Sequence, residues 1–230
     1  MHLLKELDQW LLFLFNGSDS LFLDGMITVL TSGLAWIPLY VSLAYIVIKN
    51  HDTMPQIMLT IGCALLCVAV TAGVTNLLVK PLVARPRPCN DPFVKGLVDT
   101  VVSISQKDYS FFSAHAANTF SITVFLSLLV RNRAFVITLV SWSLLNCYTR
   151  LYLGFHYPSD IVCGLLFGGL MGFVLYIFYN RLFRMLSPQV NYVSSKYTPT
   201  GYAVSDIDLV ISVFVFTLVY AAIHALIYSF

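Results

Sequence analysis

The chain has 230 residues and a formal net charge of +2, and 58% of its residues are hydrophobic whereas only 10% are charged. With a mean hydropathy of +0.81, this composition is typical of a polytopic membrane protein and argues against a soluble domain. The small net charge, without a basic run, gives no support for a nucleic-acid partner. We therefore predict an all-α, multi-pass membrane protein.

The amino-terminal segment, residues 1–20, has apolar side chains at helical spacing and polar side chains on the opposite side. The apolar positions are Leu3, Leu4, Leu7, Trp10, Leu11 and Leu14. This stretch is too short to cross a bilayer, and Asn16-Gly17 supplies a stop signal. It is predicted to form an amphipathic helix that lies in the membrane interface, with Trp10 as an anchor.

Six apolar segments follow, and we predict that each crosses the membrane. They cover approximately residues 26–48, 54–79, 113–130, 134–148, 158–179 and 208–227. Residues 21–180, with the first five spans, are predicted to form the catalytic bundle, whereas residues 181–230 supply a polar connector and the sixth span. A mixed loop from 89 to 112 separates the second span from the third.

Four glycines in the fifth predicted span indicate close helix packing. Gly164, Gly168 and Gly172 recur every four residues on one face, with Gly169 beside them, which lets another helix approach closely. The five cysteines are scattered, and four of them lie in apolar segments. Cys63 and Cys67 are one helical turn apart, and we interpret them as small apolar residues rather than a metal-binding pair.

The distribution of cations between the loops predicts the orientation of the chain. One set of loops carries Lys49, Arg131, Arg133, Arg181, Arg184 and Lys196. The other set holds the candidate site described next and, apart from it, only Lys5, Arg85, Lys95 and Lys107. The positive-inside rule therefore favours a site that faces away from the cytoplasm.

Three cations converge on that side of the membrane. Lys80, Arg87 and Arg150 each follow or end a predicted span, and together they could neutralise a dianionic group such as phosphate. Taken singly, Lys80 and Arg85 could instead extend to lipid headgroups. Ser113 is a favoured N-cap for the third span, whose free amides form an anion site on the same side.

Two histidines and an aspartate complete a reactive arrangement. Asp160, four residues after His156, could accept the Nδ1 proton of that histidine and leave Nε2 as a nucleophile. His115 could donate a proton to a leaving oxygen. No carboxylate cluster is available to hold magnesium, so we predict a reaction without metal or other cofactor.

These residues form three spaced motifs: Lys80-x6-Arg87-Pro88, Phe112-Ser113-Ala114-His115 and Thr149-Arg150-x5-His156-x3-Asp160. Their order and spacing resemble the signature of the type 2 phosphatidic acid phosphatase superfamily. Phe112 and Ala114 replace the usual proline and glycine, and Thr149 replaces the usual serine.

The resemblance implies a role for each matched position. His156 would be the nucleophile, Asp160 its orienting partner, and His115 the general acid and then the base for water. The phosphate would be bound by Lys80, Arg87, Ser113, Ala114 and Arg150.

The resulting functional prediction is a membrane lipid phosphate phosphatase that forms a phosphohistidine, at the outer face of a bacterial inner membrane. The sequence looks most like Bacteroidetes-type members, some of which are lipid A 4′-phosphatases. Undecaprenyl pyrophosphate and phosphatidylglycerophosphate remain open as substrates. A lipid phosphotransferase and an anion or lipid transporter are the alternatives of other classes, although the charges at helix ends and the lack of a repeat argue against a transporter.

Overall fold

The computed structural model describes residues 2–99, 101, 109–186 and 194–229, and within them it contains helices and no β-strand apart from one isolated bridge. The all-α prediction is confirmed for these residues. The α-helices are α1 (His2–Phe15), α2 (Leu21–Thr31), α3 (Ile37–Lys49), α4 (Met54–Gly73), α5 (Lys80–Val83), α6 (Ala114–Val130), α7 (Arg133–Tyr152), α8 (Pro158–Leu186) and α9 (Val204–Ser229).

Four helical stretches of the described chain are long and apolar enough to cross a membrane, and they begin at Met54, Arg133, Pro158 and Val204. The pair Leu21–Thr31 and Gly33–Lys49 makes a fifth candidate span, bent by 68° at its break. Helix α6 is apolar but has only 17 residues. The protein is therefore a multi-pass membrane protein, whereas the count of six spans stays a prediction.

The first predicted span was wrong in one respect, because residues 26–48 do not form a continuous helix. Ser32 adopts an extended conformation, and a short 3-10 helix, Gly33–Trp36, precedes α3. Neither Ser32 nor Gly33 favours a helix interior, and Pro38 cannot donate an amide to the preceding turn. The Trp36 indole donates to Leu30 O at 2.9 Å, which satisfies a carbonyl that the break leaves open.

The glycine face of α8 packs directly against the backbone of α6. A Cβ atom added to Gly164 would lie 2.7 Å from Ser113 O, and Cβ atoms on Gly168 and Gly172 would collide with the carbonyls of Ala117 and Ser121. The predicted role of these glycines in packing is confirmed. This contact places the first turn of α6 beside the first turn of α8.

Helix α1 exists as predicted and is amphipathic, although its location in the membrane interface stays a prediction. Leu7, Trp10 and Leu14 are more than half exposed, whereas Leu12 is buried and Asp8 is only 6% exposed. A carboxylate therefore lies on the face of α1 that contacts the bundle. The division at residues 20 and 180 also remains a prediction.

Two predicted connecting segments are described only in part. In the loop from 89 to 112, position 100 and residues 102–108, which include Lys107, lie outside the described residues. In the connector from 181 to 206, residues 187–193 lie outside them.

Candidate active site

The first motif lies where α4 continues into a π-helical segment, Val74–Val79, and then into α5. Segments of this kind occur frequently at functional sites. Lys80 begins α5 and is 6% exposed. Ala84 ends α5 in a left-handed conformation with φ +48°, and Arg87, which is 4% exposed, follows in an extended conformation. Two cations are thus buried at one end of the bundle.

His156 lies in the tight connection between α7 and α8 and is 2% exposed. Gly154 makes this turn with φ +65°, where a Cβ atom would collide with Val98. Arg87 Nη1 donates to Phe155 O at 3.0 Å and approaches His156 Nε2 at 3.2 Å. Because a guanidinium only donates hydrogen bonds, Nε2 is the acceptor and the ring proton resides on Nδ1.

A serine connects Nδ1 to Asp160. Asp160 is fully buried, and its Oδ2 accepts from Ser110 Oγ and, at 2.9 Å, from Tyr157 N. Ser110 Oγ lies 3.4 Å from His156 Nδ1, whereas Asp160 Oδ2 lies 3.7 Å from Nδ1. The direct hydrogen bond expected from the spacing is therefore absent, because the serine hydroxyl and the Tyr157 amide occupy Oδ2.

Burial sets the charge of His156. Its pKa is lowered from the ordinary 6.5 to about 4, chiefly by burial and further by Arg87 and Lys80, against the opposing effect of Asp160. At neutral pH the ring is uncharged and Nε2 carries a lone pair. This is the form that a nucleophilic imidazole requires.

Arg150 and His115 reach the same end of the bundle from α7 and α6. Arg150 is 6% exposed, and its Nη2 donates to Thr31 O at 3.2 Å. The buried Nε of Arg150 has no hydrogen-bond partner among the described residues. His115 experiences the charges of Arg150, Lys80 and Arg87. A buried guanidinium donor without a partner is costly, so this group is well suited to bind an anion.

Ser113 and Ala114 begin the second motif. Ser113 Oγ accepts from Ala116 N at 3.4 Å, which confirms the predicted N-cap, and Ser113 N donates to Asp160 O at 3.1 Å. Ala114 is the first residue of α6, and its φ is not positive. Alanine is therefore tolerated in place of the usual glycine without strain at this position.

A cavity of about 690 Å³ connects these groups. Six of the eight predicted site residues line it, whereas Ser113 and Asp160 do not: the six are Lys80, Arg87, Ala114, His115, Arg150 and His156. Farther from the cations its walls include Trp36, Leu43 and Val47. No acidic side chain lines the cavity within the described part of the chain. The cavity thus combines a cationic end with an apolar interior.

Residues 60–184, more than half of the chain, match the model of the PAP2 superfamily. The chain belongs to the PAP2 superfamily. Within the described residues of this PAP2 protein, no group of three or more His, Cys, Asp or Glu side chains could hold a metal ion. The absence of a metal cofactor from the reaction stays a prediction.

Two bacterial relatives are similar over most of this PAP2 chain. The lipid A 4′-phosphatase of Bacteroides thetaiotaomicron is 37% identical over 180 residues, which cover 78% of this chain and 80% of the relative. The lipid A 4′-phosphatase of Porphyromonas gingivalis is 27% identical over 78% of this chain and 75% of its own length. The family and these relatives confirm the prediction that the PAP2 chain is a phosphatase.

A solved structure shows the same fold. The PAP2 type phosphatidylglycerolphosphate phosphatase from Bacillus subtilis superposes with a TM-score of 0.59, covering 79% of this chain and 89% of the other. The identity is 19%, so this likeness concerns the transmembrane PAP2 fold alone.

Sequence reasoning missed three residues around the PAP2 site. Ser110 bridges His156 and Asp160, and it lies in a loop without periodicity, so no sequence signal identifies it. Arg85 was left outside the candidate site, as a cation that could extend to lipid headgroups, but its Nη1 donates to Asp160 Oδ1 at 2.8 Å. Asp8 contacts the same guanidinium from α1. For Asp8, the only sequence signal was its charge on the face of the apolar helix α1 that contacts the bundle.

Proposed function

We propose that this PAP2 phosphatase hydrolyses the 4′-phosphate of lipid A at the periplasmic face of a bacterial inner membrane, through a phosphohistidine on His156 and without a metal. The observation that carries the proposal is the cavity, whose cationic end suits a phosphate group and whose apolar interior suits part of an acyl chain. The names of the two bacterial relatives support the choice of lipid.

In the proposed complex, Lys80, Arg87 and Arg150 bind the nonbridging phosphate oxygens, together with the amide of Ala114 at the start of α6. Ser113 does not line the cavity and contributes by capping that helix. Arg87 Nη1, now 3.2 Å from His156 Nε2, turns its donors towards these oxygens as the phosphorus atom approaches that nitrogen. The unpartnered Nε of Arg150 gains an acceptor.

The first chemical step transfers the phosphoryl group to His156. Nε2 attacks phosphorus, a P–N bond forms, and the P–O bond to the sugar breaks. His115 takes up a proton when the bound phosphate offsets the positive charges of Lys80, Arg87 and Arg150, and it donates this proton to the leaving oxygen, so the dephosphorylated lipid departs as an alcohol. Asp160, through Ser110, stabilises the positive charge that develops on the ring.

The second step returns the enzyme to its starting state. His115, now neutral, removes a proton from a water molecule whose oxygen attacks phosphorus. A new P–O bond forms, the P–N bond breaks, and inorganic phosphate leaves. His156 again carries its proton on Nδ1 alone.

Once the site cations Lys80, Arg87 and Arg150 are set aside, the loops at the opposite end of the bundle hold more Lys and Arg, and the proposed orientation follows from this difference. Phe93 belongs to the site end and is 90% exposed, whereas Asp52 is exposed at the opposite end. In a cysteine-free background, a membrane-impermeant maleimide added to spheroplasts should label Phe93→Cys and spare Asp52→Cys. The reverse pattern would place the site in the cytoplasm.

The test of the activity measures phosphate release by the purified protein in EDTA. Four lipids are compared: lipid A, undecaprenyl pyrophosphate, phosphatidylglycerophosphate and phosphatidic acid, with His156→Ala as the blank. We expect the highest kcat/KM for lipid A, complete dependence on His156 and no effect of EDTA. A higher value for another lipid would refute the choice of substrate, and inhibition by EDTA would refute the metal-free reaction. Transfer of labelled phosphate to an alcohol rather than to water would instead identify a phosphotransferase.

A further inference from the structure

Helix α1 contributes a buried carboxylate to the surroundings of the site. Asp8 Oδ2 accepts from Arg85 Nη2 at 2.6 Å and from Ser159 Oγ at 2.6 Å, and its Oδ1 accepts from Ser159 N at 2.8 Å. These contacts join residues 151 positions apart in the chain. All three hydrogen bonds connect α1 to the beginning of α8 or to the loop after α5.

Arg85 lies between two carboxylates. While Nη2 contacts Asp8, Nη1 donates to Asp160 Oδ1 at 2.8 Å and to Ser159 Oγ at 2.8 Å. The guanidinium also stacks over the Tyr157 ring, 3.9 Å from its centroid. The two terminal nitrogens of the guanidinium are thus held by different carboxylates, which fixes the plane of the group.

The other oxygen of Asp160 faces the nucleophile. Oδ2 accepts from Ser110 Oγ, which lies 3.4 Å from His156 Nδ1. A continuous path of contacts therefore runs from Asp8 through Arg85, Asp160 and Ser110 to the histidine. Every side chain on it except Arg85, which is 24% exposed, is less than 9% exposed.

We propose that Asp8 is a positioning residue for the phosphatase reaction, which holds Arg85 on Asp160 and so maintains the orientation of His156. This inference rests on the proposed function. The PAP2 match begins at residue 60, so the contribution comes from a segment outside the matched part of the chain. Without the Asp8 carboxylate, Arg85 loses one of its two charged partners, so that its guanidinium is less firmly oriented towards Asp160.

The effect of Asp8 is expected on turnover rather than on substrate binding. Asp8 does not line the cavity, so Asp8→Asn should leave KM within about twofold of the wild-type value. Loss of a partner that orients a reacting histidine commonly costs tenfold or more, so we expect kcat to fall about tenfold. The asparagine can still accept from Ser159 N and preserve the start of α8.

The experiment compares kcat, KM and thermal unfolding for the wild type, Asp8→Asn, Asp8→Glu, Arg85→Gln and the Asp8→Asn/Arg85→Gln double variant. Asp19→Asn is the matched control, because it removes an exposed carboxylate from the same amino-terminal segment. His156→Ala is the blank. We expect Asp8→Glu to recover part of kcat, and the double variant to lose no more than Arg85→Gln alone, since the two residues act through one path.

Each other outcome has a defined meaning. If Asp8→Asn turns over as fast as Asp19→Asn while His156→Ala is inactive, the inference is wrong and the proposed function stands. If kcat falls only in proportion to the folded fraction, or if the two losses are additive, Asp8 is merely structural and the inference is again wrong. If the wild type releases no phosphate from the four lipids, the proposed function fails, and the inference fails with it.

Discussion

Polar side chains are buried at both ends of the helix bundle, but the groups with which they pair differ between the two ends. At the end opposite the cavity, Asp206 accepts from Asn50 Nδ2 at 2.9 Å and pairs with Lys49 Nζ at 3.8 Å, and Asn50 Oδ1 accepts from Ala203 N at 2.8 Å. These contacts join α3 to α9. At the cavity end, three cations meet in a lining that contains no described carboxylate. Only the second arrangement calls for an anionic ligand.

Two histidines, the half-buried His51 and the buried His156, show the same contrast between the two ends. His51 donates from Nδ1 to Val47 O at 2.8 Å, and its Nε2 lies 3.1 Å from Thr60 Oγ1. Burial lowers its pKa, as it lowers that of His156. Yet His51 does not line the cavity, whereas His156 does. A low pKa is therefore insufficient evidence for a nucleophile, and access of a ring nitrogen to the cavity distinguishes the two.

The largest expected effect is a difference in phosphatase activity between variants of these two histidines. Because His156 is the proposed nucleophile, His156→Ala should lower phosphate release by at least about 10³-fold. His51→Ala should retain turnover and lower the melting temperature, since it removes contacts between α3 and α4. Activity assays and thermal unfolding on the same preparations measure both. Full activity of a correctly inserted His156→Ala protein would refute the assignment of the nucleophile.

The second prediction concerns the cations of the two ends. Arg150→Gln should lower kcat/KM by about 10²-fold, as expected for a donor that stabilises charge in the transition state. The Lys49 side chain is 55% exposed and pairs locally, so Lys49→Gln should leave kcat/KM nearly unchanged. Steady-state kinetics of both variants test this difference. Equal losses of kcat/KM would show that activity depends on the overall positive charge rather than on the cations that line the cavity.

A third prediction uses pH. The pKa of His156 lies at about 4, so the ring should stay neutral as pH falls through 6.5 and bind a proton only near pH 4. Between these values the unfolded chain binds a proton that the folded chain does not, and stability should therefore fall on acidification. Histidine ¹⁵N spectra of the substrate-free protein report the titration, with His156→Ala identifying the signal. A midpoint near 6.5 would contradict the burial of the ring.

The smallest expected effect concerns two residues with positive φ at helix ends. Ala84 (φ +48°) is exposed, and its side chain is a single methyl group, so Ala84→Gly should stabilise the protein by up to about 1 kcal/mol. Arg131 (φ +54°) donates to Tyr176 OH at 2.9 Å, and Arg131→Gly should gain less or destabilise. Thermal unfolding of both variants tests the difference, and the opposite order would refute this account of strain.

Sequence reasoning was successful where the signal is local. The N-cap at Ser113 depends on one hydroxyl and an amide three residues away. The close contact of α8 is predicted from the four-residue spacing of its glycines alone. Lys80, Arg87, Arg150 and the two histidines belong to short motifs next to helix ends. An even number of predicted crossings between them puts all five on one side of the membrane, and the packing of the helices then brings them around one cavity.

The features that were missed depend on contacts distant in the chain. Nothing near Asp8 indicates that it meets Arg85, because the contact is made only after α1 packs against α8. Ser110 displaces the direct His156–Asp160 hydrogen bond, and its loop has no regular pattern. The bend after Thr31 was overlooked because hydropathy averages over the residues that break the helix.

That bend has a kinetic consequence. Thr31, Gly33 and Trp36, on both sides of the break, form part of the cavity wall, so the bent pair of helices that makes the fifth candidate span supplies this part of the wall. For a lipid substrate we therefore expect entry by lateral diffusion in the membrane, so that the relevant concentration is its mole fraction there. Diluting the substrate with inert lipid should slow the enzyme even when the total amount of substrate per volume of suspension is constant.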